Sequence, residues 1–177
     1  WDFTIPVEVS SQDENEASTV EMKKSIEKAK KEQEKLRNKT PPELQIKEWL
    51  CGKPVKLSDL KGKIIVLNFF TIKDIRCIEI MRLLNILQKK YGEKLAIISI
   101  YDSTDNLEKL RKLIEEKKPV YRIAIDKKQS NSLTKGITFD KYFISDYLPE
   151  SVVVGQNGRL LYYVAWEIEP IIRKLLD

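Results

Sequence analysis

Apolar and polar positions along the chain follow two regimes. From Ser18 to Lys39 charged residues dominate, and Met22, Ile26, Ala29 and Leu36 recur four and three apart, with Gln33 interrupting the stripe. That spacing marks one face of a helix. Ser18-Thr-Val-Glu21 has the form of a capping box and Thr40-Pro41-Pro42 closes the segment, so the pattern predicts a helix of about 20 residues, roughly 30 Å long. Ahead of it, Trp1 to Val9 is apolar and Ser10 to Glu16 is polar. The polar run has too little apolar surface to fold alone, so residues 1 to 17 read as a tether. The helix itself fits either a partner-binding or coiled-coil role or an exposed spacer docked on the domain C-terminal to it.

From Glu43 the pattern changes to alternating strand and helix. Leu44 to Trp49, the turn Cys51-Gly52-Lys53-Pro54 and Val55 to Leu57 predict a β-hairpin. The apolar run Ile64 to Phe70 predicts a strand, followed by a helix from Ile75 to Tyr91 that Gly92 ends, and then a strand from Leu95 to Tyr101. A helix from Asp105 to Lys117, N-capped by Thr104, stops before Pro119, and Val120 to Ile125 predicts the next strand. Residues 126 to 147 read as irregular, with one short helix at Ser132 to Lys135. Ser151 to Val154, the turn Gly155-Gln-Asn-Gly158 and Leu160 to Val164 form a hairpin, and a last helix starts near Pro170. Alternating β and α argues a parallel sheet, to which the final hairpin adds antiparallel strands. The organisation is an N-terminal tether and charged helix over residues 1–42 and one domain over residues 43–177.

Length and composition fit that reading: 177 residues with 42% hydrophobic content can fill a core without disulfide staples. Lys and Arg exceed Asp and Glu by 32 to 27, but the two signs interleave along helix faces, which argues against a nucleic-acid partner. No run approaches the about 18 apolar residues of a membrane span. The sequence starts at Trp1, and a membrane tether or leader ahead of it is the expectation this start raises.

Candidate chemistry gathers at Asp74-Ile-Arg-Cys77, where the apolar strand hands over to the long helix. A cysteine at the head of a helix has its thiolate favoured by unpaired backbone N–H groups and the helix dipole. Asp74 is placed to take those donors as an N-cap, accepting from the amide of Arg76 or Cys77. Its negative charge raises the thiol pKa of Cys77, and Lys73 and Arg76 offset part of that. Cys77 reads either as a small buried hydrophobe at the start of a core helix or as a monothiol. Cys51 reads as a free thiol flanking a turn. The chain contains no histidine, which removes Cys-His and Ser-His-Asp schemes, and its two separated cysteines make poor ligands for soft metals. No cofactor and no metal are expected.

Taken in order, Gly52 to Lys63, Val66-Leu-Asn-Phe-Phe70, Leu148-Pro149 ahead of a strand, and Gly155-Gln-Asn-Gly-Arg159 resemble the thioredoxin-like superfamily. The resemblance covers Glu43 to Asp177 and is to the branch holding the TlpA and ResA type thiol-disulfide oxidoreductases and the AhpC/TSA (redoxin) domains. It implies an α/β thioredoxin-like fold, a mixed central sheet flanked by helices, preceded here by the N-terminal β-hairpin and helical extension. It also implies a redox motif that this chain departs from: Lys73 stands where the family has tryptophan, Asp74 replaces the attacking cysteine, and Ile75 and Arg76 fill the intervening pair. Ile80 replaces a helix glutamate, and Cys77 alone survives, at the resolving position. Leu148-Pro149 falls where the family sets a cis-proline against this loop. The resemblance also implies that Cys51 stands too far from Cys77 for a bridge.

The resemblance thus implies a domain that has lost disulfide exchange, which needs both an attacking and a resolving thiol, and has kept a binding role. The partner expected is a protein or extended peptide at the Asp74/Pro149 surface, with residues 18–39 as a further assembly contact. A monothiol oxidoreductase or weak peroxidase using Cys77 with an external resolving thiol is the alternative. An extracytoplasmic, membrane-anchored setting is what the family implies.

Overall fold

The computed structural model describes residues 11–102, 106–128, 136–165 and 167–177, with side chains from residue 18 onward. Its centre is a run of residues that water never reaches. Strand β2 (Ile64–Phe70) is buried at all seven positions, as a central strand covered on both faces must be. Alternation sends Ile64, Val66 and Phe70 to one apolar layer and Ile65, Leu67 and Phe69 to the other. Strand β3 (Leu95–Tyr101) is equally buried and pairs with β2 in parallel, with Asn68 opposite Ser99.

Four further strands complete a six-stranded sheet in the order β1-β4-β3-β2-β5-β6: β1 (Ile46–Cys51), β4 (Arg122–Asp126), β5 (Glu150–Val154) and β6 (Leu160–Val164). β2, β3 and β4 run parallel, whereas β1 is antiparallel to β4 and β5 and β6 continue antiparallel on the other side. Helices α2 (Ile75–Tyr91), α3 (Leu107–Lys117) and α5 (Ile168–Leu176) supply the apolar layer on one face. The other face is closed by α4 (Ile137–Lys141) with Phe139, Tyr142 and Ile144, and by Leu44, Leu57 and Leu60 from the segment around β1. The result is an α/β fold with a mixed sheet between helical layers and an N-terminal helix, α1 (Ser11–Glu34).

The N-terminal β-hairpin expected from Leu44 to Leu57 does not form. β1 pairs with β4, from Ile46 opposite Asp126 to Cys51 opposite Ile123, and Leu57–Leu60 is a single 3₁₀ turn. Pro54 lacks the N–H that a second hairpin strand would need, and the guanidinium of Arg122 holds the turn by donating to the Lys53 carbonyl.

α1 also departs from expectation. It begins at Ser11, so Ser18-Thr-Val-Glu21 lies inside the helix rather than capping it, and residues from Ser11 belong to the helix rather than a tether. Trp1 to Ser10 lie outside the described residues. The helix ends at Glu34, and the chain turns through Asn38 at positive φ before Asn38 and Lys39 bond the backbone of Leu160 on β6.

Thr104 and Asp105 lie outside the described residues; α3 is capped by Asn106, whose Oδ1 accepts the Lys109 amide at 3.1 Å. The predicted helix at Ser132 to Lys135 is likewise outside them, and the short helix that is described runs from Ile137 to Lys141. No helix among the described residues is long and apolar enough to cross a membrane.

Candidate functional site at the head of the second helix

The loop Thr71–Lys73 leaves the end of β2 and delivers Asp74 in an extended conformation, φ −109° and ψ 126°, at the N-cap of α2. Its Oδ1 accepts the Arg76 amide at 2.9 Å, satisfying one of the helix's unpaired donors. The Arg76 side chain then folds back on the same carboxylate, Nη2 donating to Oδ2 at 2.6 Å and Nε to Oδ1 at 3.1 Å. Hydrogen bonds from the Arg76 side chain and amide hold the Asp74 carboxyl below its usual range. The carboxylate is therefore charged, open to solvent on one side and engaged by its own neighbours.

Three residues on, Cys77 has no solvent exposure and belongs to the apolar layer with Phe70, Ile72, Ile80 and Met81. Its amide donates to the Asp74 carbonyl at 3.1 Å, closing the first turn. Lys73 and Ile75 are exposed, Ile75 at 64%, while Ile80 is buried at 4%. The motif positions thus divide into an outer set, Lys73 to Arg76, and a buried pair, Cys77 and Ile80.

Leu148 and Pro149 arrive from the other side of β2. β5 pairs antiparallel with β2, Phe69 opposite Glu150, so the two residues before β5 stand at the sheet end where the Asp74 loop leaves. The Leu148–Pro149 peptide is cis, Pro149 is buried, and Leu148 touches both apolar layers. Tyr147 is 41% exposed. The structure thus brings the residues named from sequence, 73–77 and 148–149, to one end of the sheet.

Cys51 is elsewhere. It ends the edge strand β1, three strand spacings or about 14 Å across the sheet from β2. Its Sγ donates to the Pro119 carbonyl at 3.5 Å, and burial pushes its thiol pKa up. Neither cysteine is in a disulfide. Among the described residues no three of Cys, Asp and Glu gather as metal ligands.

Two sets of residues escaped the sequence reading. Asn68, the one polar residue in β2, donates to Ser99 Oγ at 3.1 Å and accepts from Ser151 Oγ at 3.2 Å, all three fully buried on the sheet face that α2 covers. An amide in an apolar strand was the available signal, but its partners lie 31 and 83 residues away. The second set is Gln33 with Glu150. Gln33 is 5% exposed, and its Nε2 donates to Glu150 Oε1 at 2.7 Å and to the Phe143 carbonyl at 3.0 Å. Glu150 Oε2 accepts the Ser145 amide at 3.0 Å. α1 is thereby fastened to the residue that follows Pro149, and a cavity of about 390 Å³ lies between them, lined by Ile26, Gln33, Tyr147, Glu150 and Tyr163.

The AhpC/TSA family model matches residues 38–163. Thioredoxin-like protein YneN of Bacillus subtilis is 31% identical over 107 residues, covering 59% of this chain and 62% of that protein. Thiol-disulfide oxidoreductase ResA of Bacillus anthracis is 29% identical over 118 residues, covering 67% and 64%. The chain therefore spans less than two thirds of the length of either relative. Among solved structures, a thiol-disulfide isomerase from Corynebacterium glutamicum superposes with a TM-score of 0.66 at 18% identity, over 77% of this chain and 96% of that one. That likeness shows the thioredoxin-like fold.

Proposed function

The chain belongs to the AhpC/TSA family, and on that premise we propose that it is a redox-degenerate member acting in protein binding or assembly. The observation that carries the reading is the carboxylate at position 74. Disulfide exchange starts with a thiolate that attacks and ends with a second thiol that resolves. Here the Arg76 amide, a helix-head donor that would favour a thiolate, is taken by the Asp74 carboxylate, and the single thiol nearby, Cys77, is enclosed by apolar side chains. A monothiol mechanism needs that sulfur to meet a substrate, which its burial opposes.

What remains is a surface. Lys73, Ile75, Tyr147 and Leu148 rim the end of the sheet, and a protein or extended peptide is the partner that this mixed apolar and basic rim suits. α1 flanks the same end through Gln33 and Glu150, so residues 18–39 would contribute to the same assembly. An extracytoplasmic setting, as implied by the resemblance to ResA-type proteins, belongs to this reading.

The test is catalytic. Purified protein should not reduce insulin or a small disulfide above the rate of a Cys77→Ser control. Turnover that disappears in Cys77→Ser would overturn the reading in favour of the monothiol enzyme.

A further inference from the structure

The solvent face of α2 carries four residues whose spacing is the same from either end and whose two charges are complementary when the order is reversed. Ile75, Glu79, Arg82 and Ile86 are spaced four, three and four apart, which keeps all four on one stripe of the helix. Ile75 is 64% and Ile86 is 53% exposed, both unusual for isoleucine on a helix surface, and Glu79 and Arg82 are exposed between them. Neither Glu79 nor Arg82 has an ion-pair partner among the described residues.

Shallow apolar grooves of about 280 Å³ flank the stripe on each side. Ile78, Met81, Asn85 and Pro119 line one, and Arg76, Ile80 and Leu83 line the other. Val120, 50% exposed, is tied to α2 by its amide, which donates to Asn85 Oδ1 at 2.7 Å.

We propose that this face is a self-association surface, on which α2 of one copy packs antiparallel against α2 of a second copy about a two-fold axis between residues 80 and 81. A two-fold interface must be complementary to itself, and it pairs positions equidistant from the axis. Here that condition sets Ile75 against Ile86 of the partner copy, and Glu79 against Arg82, twice each. Shifting the register by one turn, or running the helices parallel, breaks this set by placing like charges or a charge and an isoleucine opposite each other. The ridge of each helix enters the neighbour's flanking grooves, the usual way two helices pack. The inference goes beyond the binding role assigned to the Asp74 surface and does not depend on it, although Ile75 belongs to both surfaces.

Sedimentation velocity and light scattering on the full chain, from micromolar to sub-millimolar concentration, test this. A single helix pair with its flanks is a small interface, so a monomer–dimer equilibrium in the micromolar range is expected. Glu79→Arg and Arg82→Glu each oppose like charges twice and should weaken the dimer at least about tenfold. The double swap Glu79→Arg/Arg82→Glu restores both pairs and should return the constant to within about threefold of the parent, a rescue that general surface-charge effects would not give. Circular dichroism checks that each variant is folded. A parent that stays monomeric throughout, or a dimer indifferent to the single inversions, overturns the proposal. The Asp74 reading is decided by turnover and this one by mass, so each can fail alone.

Discussion

Asp74 spends its charge within three residues, on the amide and guanidinium of Arg76. Its pKa is lower in the folded chain than in the unfolded one, so the stabilisation is complete above the unfolded value of about 3.9 and is lost as the pH falls through the folded value. Asp74→Asn should therefore be less stable than the parent at neutral pH, and the two should converge in acid. Urea midpoints measured across a pH series check this. Cys77 makes the opposite case, a reactive atom kept from solvent. In the native protein its alkylation should wait on opening of the fold and accelerate many-fold in denaturant. Mass mapping of the labelled peptide separates it from Cys51, whose raised pKa also slows reaction at neutral pH. Asn68 is a third kind of residue, a buried amide with both hydroxyl partners inside. Asn68→Ala strands the Ser99 and Ser151 hydroxyls and should cost about 2–4 kcal/mol in chemical unfolding.

Elements whose pattern is local could be read from the sequence to the residue. β2, β3, β6 and α2 have the bounds that their periodicity predicts, because burial on two faces or one stripe writes itself into consecutive positions. Asp74 as N-cap was legible for the same reason, since its donor is two residues away. The failures share a different cause. β1 takes its partner from β4, more than 70 residues downstream, so a nearby Gly-Pro turn suggested the wrong neighbour. Gln33 looked like a flaw in an apolar stripe because Glu150, which makes it an anchor, lies 117 residues away. The start of α1 was missed because a capping-box sequence also fits mid-helix. The anchor makes a prediction for the element: Gln33→Ala should loosen α1 from the domain, speeding proteolysis within its lysine-rich length while hydrogen exchange in β2 and β3 stays unchanged. Equal loosening of the central strands would show that the helix is part of the cooperative core instead.

At the scale of the molecule, the sheet and both helical layers set Asp74 at the N-cap of the helix that follows the central strand. The side chain of Asp74 keeps 28% of its surface, whereas Cys77 keeps none. That asymmetry is what an attacking and a resolving thiol require, one reachable and the other shielded until the mixed disulfide forms. The two positions sit at the N-cap and third residue of a first turn closed by the Cys77 amide on the Asp74 carbonyl, the one-turn spacing on which a disulfide between the two positions is predicted. Asp74→Cys should therefore yield an intramolecular 74–77 disulfide on mild oxidation and, when reduced, measurable insulin reduction that Asp74→Cys/Cys77→Ser cannot sustain. The new thiol would inherit the helix-head amide of Arg76 now bound to carboxylate, which favours the thiolate. Bridge formation with turnover would support the proposal that the side chain at position 74 is what bars disulfide exchange. A variant that forms the bridge but turns over no substrate would place the obstruction outside the motif, in the surface that Tyr147 and α1 build beside it.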